Sequence, residues 1–163
     1  PDVNEPYRGW KITLFEGGIR VPFLARWPAR LPAGETFDAP VHHFDMYATA
    51  AAAAGADLPT DRVMDGVDLT AYVTGIDTSQ APHEYLFFRS GAAQAVRDGR
   101  WKLIRYYRSE GSETGTRRVQ LFDLENDPWE MDDLSEREEG HAVRLQQALD
   151  EWMRAVGDPL LDA

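Results

Sequence analysis

The chain has 163 residues, 43% hydrophobic and 28% charged, enough for one compact domain with a core or for a small domain plus a piece of another. A net charge of −11, from 28 acidic and 17 basic residues, excludes a nucleic-acid backbone as the principal partner, since that binding rests on clustered Lys and Arg. The absence of cysteine excludes disulfides, thiolate metal sites and a cysteine nucleophile within these residues, and no apolar run approaches the roughly 18 residues of a membrane span.

Three zones follow one another without internal repeat. The first, residues 1–59, opens on the turn-rich Pro1-Asp2-Val3-Asn4-Glu5-Pro6, with no basic and apolar pattern of signal-peptide type. After Glu16-Gly17-Gly18, the run Val21-Pro22-Phe23-Leu24-Ala25-Arg26-Trp27, stopped by Pro28, predicts a buried strand. Asp45 is expected to cap a helix from Met46 to Ala54, with Gly55 at its end. A strand followed by a helix is the grammar of an α/β layer, of which this zone holds one piece.

The second zone is β-prone. Tyr85-Leu86-Phe87-Phe88, Ala93 to Arg97, Trp101 to Tyr107 and Val119 to Phe122 predict a four-stranded, mostly antiparallel sheet. Asp98-Gly99 marks a hairpin of I′ type, Asp65-Gly66 marks another turn, and Ser109 to Arg117 reads as a mobile hairpin tip. Arg97, Arg100, Lys102 and Arg105 are expected on a solvated strand face.

The third zone is a helix. Ser135 and Glu138 fit a capping box, and Ala142, Leu145, Leu149, Trp152, Met153 and Val156 recur along one face before Gly157 and Pro159. That face is expected on the sheet, with Trp101, Trp129 and Trp152 between the layers, giving an α+β sandwich over residues 60–163.

The stretch Lys11-Ile12-Thr13-Leu14-Phe15-Glu16-Gly17-Gly18-Ile19-Arg20-Val21-Pro22 resembles the lysine loop of sulfatases, in the pattern Lys-x-Thr-x-x-Glu-Gly-Gly-x-Arg-x-Pro. The likeness continues in order through Arg26-Trp27-Pro28, Phe44 to Thr49, Asp65 to Leu69, Ala95 to Leu103 and Leu121 to Glu130. It implies that residues 1–59 end a large α/β catalytic domain and that 60–163 form the sulfatase C-terminal subdomain. It implies a parent that hydrolyses sulfate esters of a small molecule or saccharide, using formylglycine and calcium or another divalent cation. The oxidised-residue motif Cys/Ser-x-Pro-x-Arg and the family's carboxylate pairs do not occur here, so no catalytic residue and no metal ligand is assigned, and the chain alone is expected to be inactive.

Within that resemblance Lys11 corresponds to a lysine touching the sulfate group; sulfuryl transfer spreads negative charge over oxygens, and an ammonium aimed there clamps it. Without the motif it reads as a solvated loop lysine. Trp10 is a candidate wall of the substrate cleft, and His42 and His43 are candidate pocket residues, although neighbouring side chains are expected to point apart. Glu16, Gly17, Gly18 and Arg20 read as scaffold: the glycines for unusual φ values, the charged pair as a brace for Lys11. His83 and His141 read as surface residues, and Asp45 as a helix cap rather than a base. Two other readings stand beside this one: a phosphate or phosphonate ester hydrolase of the same superfamily, and a non-catalytic interaction module. In the latter the strand at Val21 to Trp27 would pair with a missing N-terminal region or a second copy. The sequence leaves the cellular address undecided: the resemblance points to a periplasmic or secreted parent, and a cytoplasmic one is the alternative.

Overall fold

The computed structural model describes residues 4–75, 81–91, 93–107 and 118–157. The elements in chain order are α1 (Glu16–Ile19), α2 (Asp45–Ala54), α3 (Thr70–Val73), β1 (Leu86–Ser90), β2 (Ala93–Asp98), β3 (Trp101–Tyr106), β4 (Arg118–Asp123) and α4 (Glu139–Val156). Two compact units result: Pro1–Pro22 with Tyr85–Ala163, and Phe23–Glu84. The division expected from sequence falls instead between residues 59 and 60.

The first unit is the expected α+β arrangement. Its four strands lie in the order β1-β2-β3-β4, antiparallel throughout. Pairing of Asp98 with Trp101 leaves Gly99 and Arg100 as the central residues of the β2–β3 turn. Only Gly99 has positive φ (47°), which is the φ signature of a II′ rather than an I′ turn. The hairpin joins the two expected strands, but its turn is centred one residue later than Asp98-Gly99. The expected tip at Ser109 to Arg117 lies outside the described residues.

Both faces of this sheet are covered. On one, Val96, Leu103 and Leu121 pack against Ala142, Leu145, Leu149 and Met153 of α4. On the other, Ala95, Ile104 and Phe122 pack against Leu14, with Phe15 and Ile19 beside them. Alternation along each strand therefore sends one residue to the helix and the next to the N-terminal loop. This overturns the solvated face expected for the strand cations: Lys102 and Arg105 are 0% and 1% exposed. Arg105, on the helix side, donates to Asp150 Oδ1 at 2.6 Å and Gln94 Oε1 at 3.1 Å.

Helix α4 begins one turn later than the capping box implied. Its N-cap is Glu138, with no side-chain cap bond, because the residues around Ser135 form their own turn in which Ser135 N donates to Asp133 Oδ1. It ends on Gly157 at φ 65°, as expected. Trp101 stacks on His141 and Trp152 on Phe87 at the interface, which places His141 against a ring rather than free at the surface. Trp129 is 47% exposed and does not join them.

The second unit holds α2 and α3. Helix α2 runs to Ala54 and stops on Gly55 in the left-handed conformation, as its sequence requires. The predicted strand at Val21 to Trp27 is absent: the segment has no ladder partner, and Leu24 is 95% exposed. An apolar run makes a strand only where a neighbour takes up its backbone bonds, and among the described residues none does. Short α3 was not foreseen.

Candidate functional site

Residues 8–18 close on themselves. Gly17 N donates to the Arg8 carbonyl at 2.8 Å, and Asn4 Nδ2 to the Gly17 carbonyl at 2.5 Å. At the far end Thr13 holds Trp10 twice: its hydroxyl donates to the Trp10 carbonyl (2.7 Å) and accepts from the Trp10 amide (3.1 Å). Ser90 Oγ, at the end of β1, donates to the Ile12 carbonyl at 2.7 Å. The product is a tight loop with Trp10, Lys11 and Ile12 exposed at its tip, Ile12 at a positive φ of 86° that a β-branched residue seldom adopts.

Gly17 and Gly18 serve this loop differently from the sequence expectation. Neither has positive φ; both sit in α1 against backbone. A Cβ on Gly17 would stand 2.5 Å from the Gly9 carbonyl oxygen and 2.6 Å from that of Arg8, and one on Gly18 would strike the Thr13 and Trp10 carbonyls. Close approach, not unusual dihedrals, excludes a side chain here. Gly66 behaves alike: a Cβ there would strike the Phe44 carbonyl, so Asp65-Gly66 marks a contact with the start of α2 and not a turn.

Beneath the loop lies a buried ion cluster. Lys102 Nζ is 2.9 Å from Glu16 Oε1 and 2.8 Å from Glu130 Oε1, all three side chains 2% exposed or less. Glu130 Oε2 accepts the Glu16 amide at 2.6 Å. Arg97, paired with Lys102 across β2 and β3, reaches Glu16 Oε2 at 3.4 Å, and Arg20 lies 3.8 Å from the same oxygen. Burial pushes the Glu130 carboxyl above its usual range, against the pull of Lys102. Arg97, Lys102 and Glu130 were missed as site residues. The signal was present: the consecutive apolar pairs Ala95-Val96, Leu103-Ile104 and Leu121-Phe122 place a nonpolar residue on each face of three strands, so a lysine beside them is buried and must be paired.

In the second unit Asp45 is a hub and not a cap. Helix α2 has Phe44 at its N-cap with no side-chain cap bond. The fully buried Asp45 carboxylate instead accepts from the amides of His42 (2.7 Å) and Val67 (2.9 Å), and both its oxygens lie within 3.0 Å of His83 Nε2. His83, 11% exposed, is thus a core partner and not a surface residue. His42 and His43, expected to diverge, lie ring against ring at 4.3 Å, and each is 4.2 Å from the Phe44 ring. Burial, then His43, holds the His42 pKa below the usual imidazole range, favouring its neutral form.

The candidate residues therefore fall in two groups: Trp10, Lys11, Glu16, Gly17, Gly18 and Arg20 in the first unit, His42 and His43 in the second. Among the described residues, no group of three or more His, Asp and Glu side chains is arranged to hold a metal ion. No described helix is long and apolar enough to cross a membrane.

The family model described as N-sulphoglucosamine sulphohydrolase, C-terminal, matches residues 8–156. Steryl-sulfatase of Mus musculus is 35% identical over 177 residues, covering 93% of this chain and 28% of that protein. Ulvan-active sulfatase of Formosa agariphila is 30% identical over 184 residues, covering 92% and 36%. A solved structure described under the metabolism of multiple glycosaminoglycans by Bacteroides thetaiotaomicron superimposes with TM-score 0.74 at 27% identity, covering 89% of this chain and 31% of that one. The chain spans about a third or less of the length of its curated relatives. Since one continuous match takes in the closed loop, the ion cluster beneath it, the sheet and α4, this chain belongs to the N-sulphoglucosamine sulphohydrolase C-terminal family of sulfatases.

Proposed function

We propose that this chain is part of a sulfatase that hydrolyses sulfate esters, and that its contribution to the reaction is the Lys11 ammonium, directed at the sulfate group. The observation that carries this reading is the presentation of Lys11: exposed at the tip of a loop whose backbone is tied down on both sides. A cation so held needs little rearrangement when charge develops on sulfuryl oxygens. Trp10, beside it and 63% exposed, is available as an apolar wall. The relatives' names, steryl-sulfatase and ulvan-active sulfatase, support a sulfate ester of a sterol or a saccharide as the substrate class.

In this reading the nucleophile and the cation belong to other parts of the parent enzyme. Formylglycine and calcium are what the family resemblance implies for that parent. The exposed apolar residues Val21, Phe23 and Leu24 would then face the rest of the same enzyme. The test is the intact enzyme carrying Lys11→Ala, assayed with an aryl sulfate and, in parallel, an aryl phosphate. Removing one such donor is expected to lower kcat about 10²- to 10³-fold for the sulfate ester. Unchanged turnover would remove Lys11 from the site, and a preference for the phosphate ester would move the parent to a different reaction.

A further inference from the structure

We infer that Glu130 is the positioning residue for Lys11, gripping the loop at both ends and fixing where its tip stands on the sheet; this rests on the reading of Lys11 as the sulfate-contacting group. Three separate atoms of Glu130 are engaged. Its carbonyl oxygen accepts from Arg8 Nη1 at 2.7 Å, at the start of the loop. Its Oε2 accepts from the Glu16 amide at 2.6 Å, at the end of the loop. Its Oε1 faces Lys102 at 2.8 Å, which anchors the whole assembly to β3. Arg8 in turn lies over the Phe15 ring at 4.1 Å and accepts the Gly17 amide on its carbonyl, so both strands of the loop's neck meet at one glutamate.

Two features argue that this arrangement does more than hold the fold. Glu130 sits at a positive φ of 59°, where Gly or Asn is ordinarily found, and a glutamate persists in such a conformation when its surroundings overdetermine it. The cluster also buries Glu16, Lys102 and Glu130 together. Apolar residues of similar volume stabilise a core as well or better, so stability alone gives no reason for three charges there. What an apolar replacement would not supply is the carboxylate acceptor for the Glu16 amide, which ties the end of residues 9–15 to Glu130, whereas the carbonyl that accepts from Arg8 is backbone and stays with any residue. Glu130 does not touch substrate in this account; it acts through Lys11.

The experiment uses the intact enzyme that contains this chain, as Glu130→Ala, Glu130→Gln, Lys11→Ala and the double variant Lys11→Ala with Glu130→Ala. Amide hydrogen exchange is read over residues 8–18 and over 94–105, alongside kcat and KM for 4-nitrophenyl sulfate. Glu130→Ala is expected to speed exchange at residues 8–18 by about tenfold or more while residues 94–105 stay protected. It is expected to lower kcat and to add less than about twofold to the loss caused by Lys11→Ala, since a residue acting through another is not additive with it. Glu130→Gln keeps an acceptor for the Glu16 amide and is expected to recover part of both readouts. Unchanged exchange at residues 8–18, or losses that multiply in the double variant, would overturn the inference. If Lys11→Ala leaves turnover untouched, the sulfate-contact reading fails by itself, and exchange over 8–18 decides the clamp. If Glu130→Ala exposes residues 94–105, the same comparison is made on Glu130→Gln, whose loop exchange must rise above wild type or the inference falls.

Discussion

Replacing Lys102 by methionine keeps the length of the side chain and removes its charge, which makes it the sharpest perturbation of the buried cluster. The ammonium stands 2.9 Å from Glu16 and 2.8 Å from Glu130, and its loss leaves two buried carboxylates with Arg97, 3.4 Å from Glu16, as the nearest remaining cation. Breaking a buried pair by removing one partner costs about 3–5 kcal/mol, a large share of a domain's total of about 5–15 kcal/mol. With a urea m-value of about 2 kcal/mol/M, the unfolding midpoint of the chain should fall by about 2 M, read by far-ultraviolet circular dichroism. The deficit should depend on pH with a definite sign. Burial already raises the folded pKa of Glu130 above 4.5, and without Lys102 it rises further. A carboxyl raised in the folded state favours folding most below its unfolded pKa and loses that contribution as pH rises through the folded value. The variant should therefore lie nearest wild type below about pH 4 and fall away as pH increases. Adding Glu16→Gln and Glu130→Gln should recover most of the loss by removing the stranded charges. A deficit below about 1 kcal/mol, or one independent of pH, would refute the view that Lys102 compensates two buried carboxylates.

Asp45→Ala should destabilise the second unit by about 3 kcal/mol, because it strands two amides and His83 together; unchanged thermal unfolding would remove Asp45 as a hub. Asp123, held by Arg100 at a pKa of about 2, contributes stability above its ordinary 3.8 that is lost as pH falls through about 2. Asp123→Asn should thus reduce stability at pH 6 and converge on wild type near pH 2, and equal gaps at both would contradict this. Gly18→Ala should disturb residues 10–13 through its carbonyl contacts, visible as a shift in the emission of exposed Trp10; an unshifted spectrum with an intact fold would show that the close approach relaxes without consequence.

How far the sequence reaches depends on which force fixes each part. Strands β1 to β4 and α4 were legible because alternation and helical spacing are set by burial against a nearby layer, and both layers lie within the chain. The strand at Val21 to Trp27 was misread because an apolar run records only that a segment is sticky, not that a backbone partner stands beside it. Lys102 and Arg97 escaped for a related reason. Period-two alternation was read as one wet face, whereas the adjacent apolar residues in β2, β3 and β4 required two dry ones. His83 and Asp45 are 38 residues apart, and their pairing belongs to tertiary structure with no local signature. The loop of residues 8–18 was placed by resemblance, while its closure at Arg8, Gly17 and Glu130 emerged only from geometry.

The most direct measurement is the turnover of an aryl sulfate by the intact enzyme bearing Lys11→Ala, with exchange protection of the sheet monitored in the same sample. A fall in kcat of about 10²- to 10³-fold on an undisturbed fold is the predicted result. Turnover within about twofold of wild type would contradict the assignment of the Lys11 ammonium to the sulfate group.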